Sequence, residues 1–274
     1  MNYVISSISY SPIKSLSFKI VKSCYIKKSI GILNDRIFAL SKNISFEKAK
    51  IIEKNPNERK LSHFLTLKNT PILNKYNFEY INDELSLLLD DKRIFSVKLN
   101  DQDISSLITN KFFELERSLN GPFFLLKNKD FPFYDTTHTN EILNSISLIN
   151  HSSINDFEKK IGQKIEPERF RGNFYIKGID AWAEREWVNK IIKINNIFFK
   201  VEKNISRCSA TNLQPGTDKK TINLPNLLKT NYTHIDMGIY LTPMNDGEVM
   251  TGNKIELKIS KCGFFSHLFN LGFF

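Results

Sequence analysis

The 274-residue sequence predicts a mainly β protein with a few helices. Short spans of alternating apolar and polar residues recur along it, as in half-buried strands. Pairs of such spans are separated by Asn- and Asp-containing turns. Only two stretches carry a helical period. Hydrophobic residues make up 41% of the chain, so a packed core is expected rather than a disordered one.

In chain order, Tyr3–Tyr10, Lys19–Lys27 and Arg36–Leu40 read as strands. Phe78–Ile81 and Leu85–Leu89 flank Asn82-Asp83-Glu84 and read as a hairpin, as do Ile191–Ile194 and Ile197–Val201 around Asn195-Asn196. A helix is expected over Ser105–Leu119, with Ile108, Phe112, Leu115 and Leu119 on one face and Asn120-Gly121-Pro122 as its stop. A second is expected over Ser153–Ile161, capped by Ser153 and ended by Gly162. The Asn120-Gly121-Pro122 punctuation divides the chain into a strand-rich lobe, 1–120, and a second, barrel-like lobe, 121–260. An apolar tail with five phenylalanines follows at 261–274. It is expected to pack back on the barrel, with membrane or partner contact as the alternative.

The formal net charge is +10, but lysine spread along the whole chain carries most of it. No aromatic-basic RNA motif accompanies it, so nucleic-acid binding is not expected. Three scattered cysteines, Cys24, Cys208 and Cys262, form no disulfide framework and fit a reducing, cytoplasmic setting. The five histidines show no metal spacing among themselves. A glycine-rich phosphate loop, a dinucleotide fingerprint and an iron–sulfur cysteine pattern are absent from the sequence.

Four segments are unusual for plain strands: Tyr10-Ser11-Pro12-Ile13-Lys14-Ser15, Asn34-Asp35-Arg36, Arg169-Phe170-Arg171-Gly172-Asn173, and Ser206-Arg207-Cys208-Ser209-Ala210-Thr211-Asn212 with the loop Gln214-Pro215-Gly216-Thr217. Four of the eight arginines fall in them, and arginine suits bidentate oxyanion binding. Taken singly, Lys14 and Arg36 read as surface charges, with Asp35–Arg36 a weak solvated pair. Cys208 is bracketed by hydroxyls and an arginine, which marks it as the chain's working residue rather than a core thiol.

In order along the chain, these pieces resemble MOSC proteins with an N-terminal MOSC β-barrel, including the mitochondrial amidoxime-reducing component and its bacterial relatives. The residues that carry the resemblance are Pro12-Ile13-Lys14-Ser15, Asp35-Arg36-Ile37-Phe38, Phe170-Arg171-Gly172-Asn173, Trp182-Ala183-Glu184-Arg185-Glu186-Trp187, Ser206-Arg207-Cys208 with Thr211, and Tyr240, Gly247 and Gly252-Asn253. Asp135-Thr136-Thr137 matches a further family segment. Departures are Ile205 where many relatives have a second cysteine, Gly172 for proline, and Asn253 for aspartate.

The resemblance implies an N-terminal MOSC-type β-barrel lobe packed on a MOSC β-barrel domain. It implies the molybdenum cofactor (Mo-molybdopterin), with Cys208 as metal ligand and catalytic residue. It places Lys14, Ser15, Arg36, Arg171, Asn173, Ser206 and Arg207 on the pterin and its phosphate, with Tyr240 near the same cavity. The implied activity is reduction of small N-hydroxylated or related N–O substrates, with electrons from a separate donor protein. The alternative is a non-catalytic carrier of the cofactor, or of sulfur destined for it.

Overall fold

The computed structural model describes residues 3–99, 104–119, 121–134 and 145–258. The apolar tail and Asp135-Thr136-Thr137 lie outside the described residues.

The chain opens with β1 (Tyr3–Tyr10), β2 (Lys19–Val21), β3 (Ser23–Lys27), β4 (Gly31–Ile32) and β5 (Phe38–Leu40), then α1 (Phe46–Lys54). A meander follows, β6 (Tyr76–Ile81), β7 (Glu84–Leu89) and β8 (Lys92–Lys98), then α2 (Ile104–Leu115) and β9 (Leu125–Lys127). The remainder is β10 (Ile146–Asn150), α3 (His151–Ile161), β11 (Phe174–Lys177), β12 (Ile191–Ile194), β13 (Ile197–Ser206), α4 (Leu224–Tyr232), β14 (Asp236–Pro243), β15 (Gly247–Met250) and β16 (Lys254–Lys258).

Seven strands close into a barrel in the order β1-β11-β10-β14-β13-β12-β16, with β16 returning to β1. Closure satisfies every edge, which an open sheet of this length would leave exposed. Side-chain alternation fills the barrel: on β13, Ile197, Phe199 and Val201 point inward while Phe198 and Lys200 point out. Strand β1, from the first lobe, is a stave of this barrel, and β3 pairs with β15, so the two lobes are interwoven.

The first lobe builds its own core between the β6–β8 sheet and α2, with Phe38, Leu73, Phe78, Leu87 and Phe112 at its centre. Leu213, only five residues after Cys208, is 2% exposed in that same core. A third core lies outside the barrel, where α3 and α4 pack Ile154, Phe157, Leu224 and Leu228 against Phe170 and Met237.

Several local expectations need correction. The strand expected over Lys19–Lys27 breaks at Lys22, because β2 pairs with β1 while β3 turns to β15. Arg36 is not in a strand; it takes a left-handed conformation ahead of β5. Ser153 does not cap α3. Asn150 does, accepting from Ser152 N–H at 2.9 Å, while the Ser153 hydroxyl turns inward to Glu184. Helices α1 and α4 were not expected; their signals were the short caps Ser45 and Asn223. Both hairpin turns do form, with Asn82, Asp83 and Asn195 in the left-handed region that such turns require.

Candidate functional site

The four unusual segments converge where the first lobe meets the barrel. Asp35 and Asn173 form the buried centre, 1% and 0% exposed. Asn173 Nδ2 donates to Asp35 Oδ2 (3.2 Å) and Ser9 O (3.2 Å). Its Oδ1 accepts from Ser147 N–H (3.1 Å), Ser147 Oγ (2.9 Å) and Arg36 Nη2 (3.2 Å). The Arg36 guanidinium also donates to Asp35 Oδ2 through Nε (3.1 Å) and Nη2 (2.6 Å). The Asp35–Arg36 pair is therefore no solvated surface pair: its carboxylate is dry and orients the guanidinium. The side-chain hydrogen bonds of Asn173 thus close on protein groups, the Arg36 guanidinium among them.

Arg36 and Arg171 both sit at positive φ, 53° and 49°. Left-handed backbone at an arginine is uncommon and recurs where function holds it in place. Arg171 Nη2 donates to Leu16 O at 2.8 Å, tying the third segment to the first. Beside it, Gly172 occupies the place where the resembled family has proline. A Cβ there would lie 2.5 Å from Ile149 Cγ1, and its N–H donates to Tyr175 Oη at 3.1 Å, a bond proline cannot make.

The Cys208 segment leaves β13 and turns through Ser209–Asn212, with Thr211 N–H (3.1 Å) and Oγ1 (2.9 Å) both donating to Cys208 O. Cys208 is exposed. Its neighbours are braced: Ser206 Oγ donates to Asp236 Oδ1 at 2.7 Å, and Arg207 reaches into the protein. Arg207 Nε (2.9 Å) and Nη2 donate to Met237 O, and Nη1 donates to Phe170 O at 2.8 Å. Burial is the largest influence on its pKa and pushes it down. Arg207, expected on the cofactor, donates from Nε, Nη1 and Nη2 to two backbone carbonyls, which ties the Cys208 turn to the strand end beside Arg171.

A cleft of about 640 Å³ opens at this junction. Its walls include Ser9, Phe18, Asn74, His151, Arg169, Arg171, Tyr175, Ala210, Leu213 and Pro215. Arg171 is the expected site residue on the wall, and Ala210 brings the Cys208 turn to its edge. Ser15, at φ 71°, lies in the turn before Phe18. Lys14 is 3% exposed, its Nζ donating to Phe133 O at 3.3 Å, so it is not a surface charge. Tyr240 stands on β14 opposite Ser147 and Lys203 and is not part of the cleft wall. Among the described residues, no cluster of three or more His, Cys, Asp or Glu side chains is arranged to hold a metal.

Sequence reading missed Phe18, Asn74 and His151. Asn74 Nδ2 donates to Gln214 O (2.8 Å) and Thr217 O (2.7 Å), fixing the loop after Cys208. His151 packs on Tyr175 with the rings tilted by 35° and centroids 5.4 Å apart, and burial lowers its pKa, followed by the nearby Lys177. None of the three carries a local motif; they meet only through long-range packing. The Trp182–Trp187 motif is a structural brace: Trp182 Nε1 donates to Asp156 at 2.7 Å, Glu184 is buried on Asn150 and Ser153, and Trp187 packs in the barrel core. No helix among the described residues is long and apolar enough to cross a membrane.

Among solved structures, the chain is similar to the YUAD protein from Bacillus subtilis, at 13% identity and a TM-score of 0.44, with 94% of this chain and 96% of that one covered. It is similar to YiiM from Geobacillus stearothermophilus at 16% identity and a TM-score of 0.35, covering 43% of this chain and 56% of that one. No curated protein matches the chain. Residues 135–256, which hold Arg171, Arg207 and Cys208, match the family model of the MOSC domain. The chain thus carries a MOSC domain over residues 135–256.

Proposed function

We propose that this protein binds the molybdenum cofactor, with Cys208 as its protein ligand to the metal, and reduces N-hydroxylated or related N–O substrates. The observation that carries the reading is an exposed thiol on a braced turn whose Ala210 lines a cleft that also contains Arg171. MOSC domains are associated with the C-terminal domains of molybdenum-cofactor sulfurases and with molybdenum binding.

The residues present fit such a group. A thiolate is a soft ligand suited to a metal already held by sulfur. An arginine on the wall suits a phosphate, which takes charge-assisted donors. The cleft falls within the ordinary size range for cofactor sites. When bound, the group would supply two-electron redox chemistry suited to N–O substrates.

The chain's own contributions differ by residue. Cys208 anchors the metal end, and Arg171, with Arg36 behind it, holds the anionic end. Arg207 and Asn173 keep the thiol and the Arg36 guanidinium in place. His151, whose pKa burial lowers, stands on the cleft wall as a group able to take or give a proton. Electrons come from a separate donor protein.

The test is X-ray absorption and metal analysis of protein made in a host that supplies the cofactor. Wild type is expected to hold molybdenum with one more sulfur neighbour than Cys208→Ser; an unchanged sulfur count removes Cys208 from the metal. An anaerobic assay with a reduced viologen dye and a hydroxylamine or amidoxime tests the reaction. Loaded protein that turns over none of these substrates is instead a carrier.

A further inference from the structure

Phe18 lies two residues after Leu16, whose carbonyl accepts from Arg171, and its half-buried ring forms part of the cleft wall. It belongs to none of the four hydrophobic cores, so core packing does not account for an aromatic residue here. The Arg171 guanidinium lies 4.5 Å from its ring centroid and the Arg36 guanidinium 5.5 Å. The Arg36 guanidinium also lies over the Tyr134 ring, at 4.4 Å. Asp35 partly neutralises Arg36 in a buried ion pair, and the Phe18 face attracts both guanidiniums through its quadrupole, holding the two cations beside one ring. Both arginines hold left-handed backbone, so their approach to this ring is built into the fold.

We propose that Phe18 is a positioning residue: it sets the spacing of the Arg36 and Arg171 guanidiniums as a two-part receptor for a phosphate-type oxyanion at this end of the cleft. The proposal deepens the cofactor reading and rests on it for the identity of the ligand, but not for the presence of the receptor. Phe18 touches the arginines, not the reacting atoms. Its effect is on binding, and an aromatic substitute keeps it.

The experiment measures binding of inorganic phosphate to the full chain by calorimetry at low ionic strength, for wild type, Phe18→Leu and Phe18→Tyr, alongside thermal melting. Phe18→Leu is expected to weaken phosphate about tenfold, the loss of two cation–aromatic contacts. Phe18→Tyr is expected to stay within about twofold of wild type, because it retains the ring. Melting midpoints should not follow that order. If Phe18→Leu does not fold, Phe18→Met supplies similar bulk without the ring. A wild type that binds no phosphate, equal affinity in the Leu and wild-type proteins, or an equal loss in the Tyr variant overturns the proposal. Phosphate binding that depends on Phe18, in a protein that takes up no molybdenum, keeps this proposal and defeats the cofactor reading. Molybdenum loading with Phe18-independent phosphate binding does the reverse.

Discussion

Replacing Arg207 by methionine keeps most of the side chain's stem and deletes its charge and donors. The guanidinium bridges Met237 O and Phe170 O, two buried backbone carbonyls on separate segments. Leaving a buried acceptor unpaired costs about 1–3 kcal/mol. Two such carbonyls give roughly 2–6 kcal/mol, a large part of the ~5–15 kcal/mol that holds a typical domain folded. Urea denaturation followed by tryptophan fluorescence reads this, because Trp182 and Trp187 lie in the same half of the chain. The denaturant slope should be unchanged and the midpoint lowered. Cys208 should also alkylate faster, since the turn that carries it has lost its anchor. Arg207→Lys should not rescue, because a single ammonium lacks the planar fork that reaches two carbonyls. A loss below about 1 kcal/mol in the methionine variant, or a lysine variant equal to wild type, refutes the bracing argument.

Glu184 tests the electrostatics of the Trp182–Trp187 brace. Burial raises its pKa, opposed by hydrogen bonds from Asn150 and Ser153. A raised folded pKa means the native state binds the proton more tightly. Its contribution is complete below the unfolded value near ~4.3 and is lost as pH rises through the folded value. Glu184→Gln, which cannot ionise, should gain on wild type across that window in urea titrations between pH 4 and 7; parallel pH profiles would count against it. Gly238, at φ 81°, lies next to Met237, and a Cβ there would come within 2.4 Å of Leu148 O. Gly238→Ala should cost about 3 kcal/mol or more through strain and backbone displacement; a melting temperature within 2–3 °C of wild type, on the order of 1 kcal/mol, would contradict it.

The legible part of the site was its residue types. Arg36, Arg171 and Cys208 stand in short segments whose polarity conflicts with strand formation, and the structure brings those segments to one junction. Their division of labour was not legible. The sequence does not show that Asn173 and Arg207 make hydrogen bonds to Ser147, Ser9, Met237 and Phe170 that hold the site together. Asp35–Arg36 looked solvated because two adjacent charges give no sign of burial; the dryness comes from β1 and the Asn173 turn covering them. Phe18 and His151 had no local signal, because an aromatic or histidine flanked by ordinary residues reads the same on a surface and in a cleft.

What the sequence determined by itself was local. Period-two alternation made the strands, Asn-rich turns made the hairpins, and Gly162 ended α3, since each depends on neighbours within a few positions. Tertiary structure alone decided that β1 closes a barrel with strands more than 160 residues away in sequence. It also decided that Leu213 anchors the Cys208 segment in the first lobe's core, and that two arginines share one phenylalanine. Such contacts pair residues whose separation in the chain carries no periodic trace. They are selected by burial and closure of the whole fold, not by any local preference.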